Sequence, residues 1–247
     1  MPRLVPFRLA AACALALTLA LSLAAGAAAK GPVADLRVVG KGGKVLTEDS
    51  FGAFTQTVKA SPKATCFGPG TGGSGKEVTI KGPTALGMLI AAARFTAAMK
   101  PLLITDAFDF GLGICGVGGS VASSKASWYL KVNHKNPELG GEMVKVKKDD
   151  EVLWALASFP YPDELVLSAP DEATAGQPFT VRAFAYDDKG KRKPAAGAQV
   201  TGAASPTGAD GRTTVVLKKA ANLTARHDAD IPSAVEAVCV GGKCPRG

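Results

Sequence analysis

Ser127-Trp128-Tyr129-Leu130-Lys131-Val132-Asn133-His134 and, a loop later, Val146-Lys147-Lys148-Asp149-Asp150-Glu151-Val152-Leu153-Trp154 are the two segments that set the architecture. Each joins an aromatic, β-branched run to a polar turn, the signature of a strand and its exit. The two are expected to pair as a hairpin across a long loop, Lys135 to Met143. Strict alternation sends Trp128 and Tyr129 to opposite faces, so only one of them can point into a given core.

Upstream, Leu36–Gly40, Lys44–Thr47 and Glu77–Ile80 read as short strands, and Gly68–Gly75 as an exposed glycine-rich loop. Thr84 follows Gly82-Pro83 and suits the N-cap of a helix starting at Ala85. Leu86, Leu89, Ile90 and Ala93 then fall on one helical face. A single helix among strands predicts an α+β unit with that face laid on a sheet. Downstream, Pro160-Tyr161-Pro162-Asp163 reads as a boundary. Beyond it Phe179, Val181, Ala183 and Ala185 alternate with Thr180, Arg182, Phe184 and Tyr186, a period of two. Strands are also expected at Glu164–Ser168, Ala198–Thr201, Arg212–Leu217, Asn222–Arg226 and Ser233–Val240. Turn clusters such as Asp187-Asp188-Lys189-Gly190 separate them, and no helical pattern interrupts. The fold class expected is therefore mainly β, an α+β unit followed by a β-sandwich.

The ends indicate a compartment. Arg3 and Arg8 precede an Ala/Leu run, and Ala27-Ala28-Ala29 precedes Lys30, the three-part pattern of a secretory signal peptide over residues 1–29. An uncleaved anchor is the rival reading. Cleavage at Lys30 leaves 218 residues, enough for two domains, 30–160 and 161–247. With Arg3 and Arg8 removed, 27 basic residues face 21 acidic ones, a mild net charge of +6. The lysines are scattered rather than interleaved with aromatics, so a nucleic-acid partner is not expected. No transmembrane segment is expected in the mature chain. Four cysteines remain, Cys66, Cys115, Cys239 and Cys244. An even number in an oxidising compartment predicts two disulfides, with Cys66–Cys115 and Cys239–Cys244 favoured among three connectivities. Neither pair has the close spacing of a zinc site, and no metal or cofactor is expected.

The strand pair around Trp128 and Trp154 resembles the end of the transcobalamin C-terminal-like domain, a secreted β-grasp-type module in which Val-Asn-Gly follows one aromatic strand and Gly-Asp-Glu-Val opens the next. The match extends over about residues 35 to 157. Two positions depart from it: His134 and Asp149 stand where the family has glycine, which implies differently shaped turns. The second half resembles bacterial immunoglobulin-like surface domains through Ala175-Gly176-Gln177-Pro178-Phe179, Ala196-Gly197-Ala198-Gln199-Val200 and Thr207-Gly208-Ala209-Asp210-Gly211. The resemblance implies a β-grasp-like domain followed by an immunoglobulin-like sandwich, and a ligand edge near Phe108, Phe110 and Gly111.

Candidate binding residues are Trp128, Tyr129, Asn133, Phe108 and Phe110, as an aromatic platform for a small ligand or glycan; the alternative is that both tryptophans anchor the core. Catalytic patterns are missing from the sequence. His134 and His227 are the only histidines and have no ligand spacing between them, and no Gly-x-Ser-x-Gly element occurs. Adjacent carboxylates at Asp149-Asp150 and Asp187-Asp188 fit polar turns better than an acid–base pair. The expectation is a non-enzymatic, secreted or envelope-associated binding module whose partners are a small ligand, a glycan or other envelope proteins. A structural piece of a surface assembly is the alternative.

Overall fold

The structure, a computed structural model, describes residues 31–245. The signal-peptide reading falls on residues 1–29, outside the described residues. Element order is β1 (Val33–Val39), β2 (Val45–Gly52), β3 (Gln56–Lys59), β4 (Glu77–Ile80), α1 (Ala85–Phe95), β5 (Leu102–Phe108), β6 (Gly111–Val117), β7 (Ser120–Val121), β8 (Ser127–Val132) and β9 (Glu151–Ala157). There follow β10 (Glu164–Ser168), β11 (Glu172–Ala173), β12 (Pro178–Tyr186), β13 (Arg192–Pro194), β14 (Gln199–Val200), β15 (Arg212–Val216), β16 (Ala221–Leu223), β17 (Ala225–Arg226) and β18 (Glu236–Val240). Over the described residues the fold is mainly β, with one short α-helix and several separate sheets.

A four-stranded sheet of order β2-β1-β9-β8 organises the first half. It is mixed, because β1 runs parallel to β9 while its other pairings are antiparallel. Thr84 caps α1 by accepting a hydrogen bond from the Gly87 amide at 3.1 Å. The helix is buried on every side from Ala85 to Ala93, not only along the Leu86 stripe that its spacing predicts. Small residues at Ala85, Gly87, Ala91, Ala92 and Ala93 let neighbouring chain approach all round it. Alternation then divides the sheet. Leu36, Val38, Leu130, Val152 and Trp154 join the helix in one core, while Tyr129, Leu153, Ala155 and Ala157 form a smaller cluster on the opposite face with Ile231 from the second half.

The second half has its own core, built from residues such as Leu165, Val181, Ala183, Val215, Leu223 and Val238. Here β12 pairs with β10 and β15, and β13 joins its far end. Buried Val181, Ala183 and Ala185 alternate with half-buried Arg182, Phe184 and Tyr186, as the period of two requires. The expected strand over Asn222–Arg226 is broken into β16 and β17, which pair with different partners, β18 and β14. Strands β3, β5 and β6 have no clear alternating signal, since Gly111, Gly113 and Gly116 interrupt β6.

The described residues hold two disulfides, Cys66–Cys115 and Cys239–Cys244. Among the described residues no helix is long and apolar enough to cross a membrane.

The β8 exit corrects the turn expectation. Asn133, His134 and Asp149 themselves take left-handed conformations, with φ of 51°, 67° and 63°. The shape permitted by glycine is kept, and polar contacts hold it. Asn133 Nδ2 donates to Asp150 Oδ1 at 2.9 Å, and the Glu151 amide donates to Asn133 Oδ1 at 2.9 Å. Short polar side chains tolerate this region because they can bond locally.

Candidate functional site

Cys66–Cys115 ties the loop before β4 to the middle of β6, and so sets the position of the adjacent Phe67. The same loop is pinned twice more. The Ser74 amide and hydroxyl both donate to the Asp106 carboxylate, at 2.7 and 2.6 Å, which holds that carboxyl below its usual range. Thr105 Oγ1 donates to the Thr71 carbonyl at 2.5 Å. Phe67 then meets Phe108 edge-on at 5.4 Å, and Phe108 stacks on Phe110 at 4.9 Å. Gly113 lies beneath both rings. A Cβ there would stand 2.9 Å from Thr105 Cγ2 and 3.0 Å from both Phe67 and Phe108, tighter than packed carbons usually sit, so a side chain at this position would push the two rings outward.

Phe67 and Gly113 continue into a groove of about 310 Å³ whose other walls include Trp128, Leu139, Gly141 and Tyr161. Gly141 is flat against the buried Trp154 ring, where a Cβ would come within 2.6 Å. Trp154 closes the floor and donates its indole N–H to the Ala85 carbonyl at 3.3 Å. Trp128 is half-buried against the helix-side core, and its indole N–H has no hydrogen-bond partner among the described residues. Phe67, Phe110 and Leu139 are exposed. The result is an aromatic strip running from the β5–β6 turn into the groove, with polar groups of Asn136 and Glu138 at its rim.

Of the five residues singled out from sequence, Trp128 and Tyr129 both contribute to the groove lining. Phe108 and Phe110 join it through Phe67. Tyr129 is otherwise committed elsewhere. It is buried, stacks on Tyr161 at 4.1 Å and donates its hydroxyl to Asp188, so that burial and the carboxylate both push its pKa up. Asn133 is outside the lining and serves the β8–β9 turn. Phe67, Gly113 and Leu139 were not anticipated. The position of Phe67 beside a bridged cysteine was the one sequence signal that could have drawn attention to it.

A second constellation joins the two halves. Lys131 shares the Tyr129 face of β8, and Arg37 shares the Leu153 face of the sheet. From the other side comes Glu164, the first residue of β10. Its Oε1 accepts from Arg37 Nη2 at 2.6 Å, and its Oε2 lies 3.3 Å from His134 Nδ1 and 3.7 Å from Lys131 Nζ. Lys131 is 0%, Glu164 3% and Arg37 8% exposed. Lys131 also donates to the Tyr186 carbonyl at 2.8 Å, Arg37 to that of Pro232, and His134 stacks on Tyr186 at 4.2 Å. Burial pushes the Glu164 carboxyl up, but His134, Arg37 and Lys131 together outweigh it and hold the pKa below the usual range. Burial lowers the Lys131 ammonium against the pull of Glu164. The Glu164 carboxylate raises His134, with burial opposing and Glu151 adding to the rise.

The paired carboxylates are occupied by turns. Asp150 accepts the Lys147 amide, and Asp187 accepts those of Lys189 and Lys191. No group of three or more His, Cys, Asp or Glu that could hold a metal ion occurs among the described residues. Comparison of the chain with protein-family models, with curated proteins and with solved structures gives no match.

Proposed function

We propose that the protein is an extracytoplasmic, non-enzymatic binding module that recognises a small ligand or glycan at the aromatic groove of its first half. In this reading residues 30–160 form a transcobalamin C-terminal-like, β-grasp-type domain. Residues 161–247 form an immunoglobulin-like sandwich against which that domain is braced. The helix on a mixed sheet and the two separate cores support the architecture. The observation that carries the function is the groove itself: exposed aromatic rings held in place by a disulfide and by a glycine that no other residue could replace without moving them. Rigid aromatic walls with a few polar rim groups are the usual make-up of a small-ligand site. The two disulfides agree with an oxidising compartment.

The alternative, a structural component of a surface assembly, draws on the same exposed phenylalanines together with Phe95 and Phe159, at 82% and 84% exposure. Native mass spectrometry of protein exported from a bacterial host separates the two. A co-purifying mass that disappears in both Trp128→Ala and Gly113→Val supports binding. A bare or self-associated mass, unchanged by either substitution, favours assembly.

A further inference from the structure

The outer face of the β12 sheet carries an arrangement that the groove reading leaves unused. Register places Ser168, Arg182 and Arg212 in one cross-strand row, Thr180 beside Thr214 in the next, and Phe184 between Val166 and Pro194. Arg192 stands opposite Tyr186, so Phe184 is flanked along the strand direction by Arg182 on one side and Arg192 on the other. Both guanidinium carbons approach its ring, at 4.7 and 4.6 Å from the centroid.

Two like charges are thus gathered on one aromatic ring, and neither Arg182 nor Arg192 has a carboxylate within ion-pair distance among the described residues. Arg182 Nε donates only to the Asp210 carbonyl at 3.0 Å, while the Asp210 carboxylate is 3.5 Å from Arg212. The nearby acids have their own partners. Asp187 accepts two backbone amides, Asp188 accepts Tyr129, and Asp163 is 2.7 Å from Lys193. Lys189 and Lys191 extend the positive charge along the β12–β13 hairpin. A guanidinium held over an aromatic ring keeps its remaining N–H groups directed outward, for Arg182 those of its Nη atoms, and such groups match an oxyanion. The exposed residues Ser168, Thr180 and Thr214 lie on the same face.

We propose that this face binds an acidic polysaccharide, its carboxylates or sulfates meeting Arg182 and Arg192 and its hydroxyls meeting the serine–threonine row. The site is independent of the aromatic groove and gives the second half a recognition role of its own. Affinity electrophoresis through gels holding polygalacturonate, dextran sulfate or uncharged dextran tests it, with double-stranded DNA as a competing polyanion. Retardation by polygalacturonate or dextran sulfate, none by dextran, and a fall in affinity of about tenfold or more in the Arg182→Gln, Arg192→Gln double variant are expected. Salt should weaken the binding. A Lys59→Gln, Lys76→Gln variant, equal in charge change but on the first half, should bind as the parent does. Equal loss in the lysine variant would reduce the effect to net charge and overturn the site. DNA binding as tight as that of either polymer, or no retardation by either, would overturn the polysaccharide assignment.

Discussion

Replacing Glu164 by glutamine keeps the side-chain shape but removes the one carboxylate that, among the described residues, lies within ion-pair distance of both Arg37 and Lys131. An exposed ion pair would make this a change of at most about 1 kcal/mol. Here the three side chains are 9%, 0% and 4% exposed, in the order Arg37, Lys131, Glu164, so two cations would be left in a medium that solvates them poorly. Breaking a buried pair from one side costs about 3–5 kcal/mol. The lower end applies, because the glutamine carbonyl can still accept from Arg37 and Lys131 keeps the Tyr186 carbonyl. The expected loss is thus about 3 kcal/mol, a sizeable part of the roughly 5–15 kcal/mol that holds a domain folded. Urea denaturation at pH 6, followed by far-UV circular dichroism, measures it. Adding Lys131→Met to Glu164→Gln should recover part of the loss, since it removes one of the stranded charges. A loss under about 1 kcal/mol, or no recovery in the double variant, would mean that water reaches the cluster and would refute the reasoning.

His134 makes the same junction pH-dependent. Glu164 raises its folded pKa, so its stabilising contribution is complete below the ordinary imidazole value of 6.5 and is lost as pH climbs through the raised value. Denaturation midpoints should fall across that window in the parent and stay flatter in His134→Gln; parallel curves would exclude the effect. Asp149→Gly should stabilise by about 0.5 kcal/mol, because a left-handed residue whose side chain is 78% exposed gains conformational ease and loses little contact. A lower melting temperature for Asp149→Gly would show that the carboxylate does more at that turn than its surroundings indicate.

Local signals were the legible ones. The Thr84 cap, the alternation of β12 and the β8–β9 pairing are properties of contiguous residues, and the structure has them at those positions. Glycine-rich β6 was not legible, because its strand character comes from pairing with β5 rather than from its own pattern. The groove was half legible. Trp128 announced itself by rarity, while Phe67 and Gly113 matter only through packing. The charge cluster escaped entirely, since Arg37 and Glu164 are 127 residues apart. One hint existed: Lys131 shares a strand face with Tyr129, and a lysine on an aromatic, buried face calls for a partner.

That junction also bears on how freely the two halves can be exchanged. A chain cut at Pro160–Asp163 would separate Arg37, Lys131 and His134 from Glu164, and uncover Tyr129, Leu153 and Ala155 on one piece and Ile231 on the other. Each piece would carry a wound fitted to this partner and to no generic neighbour. The halves look like portable units in sequence, but recombination or fusion at the linker would have to rebuild four charges at once.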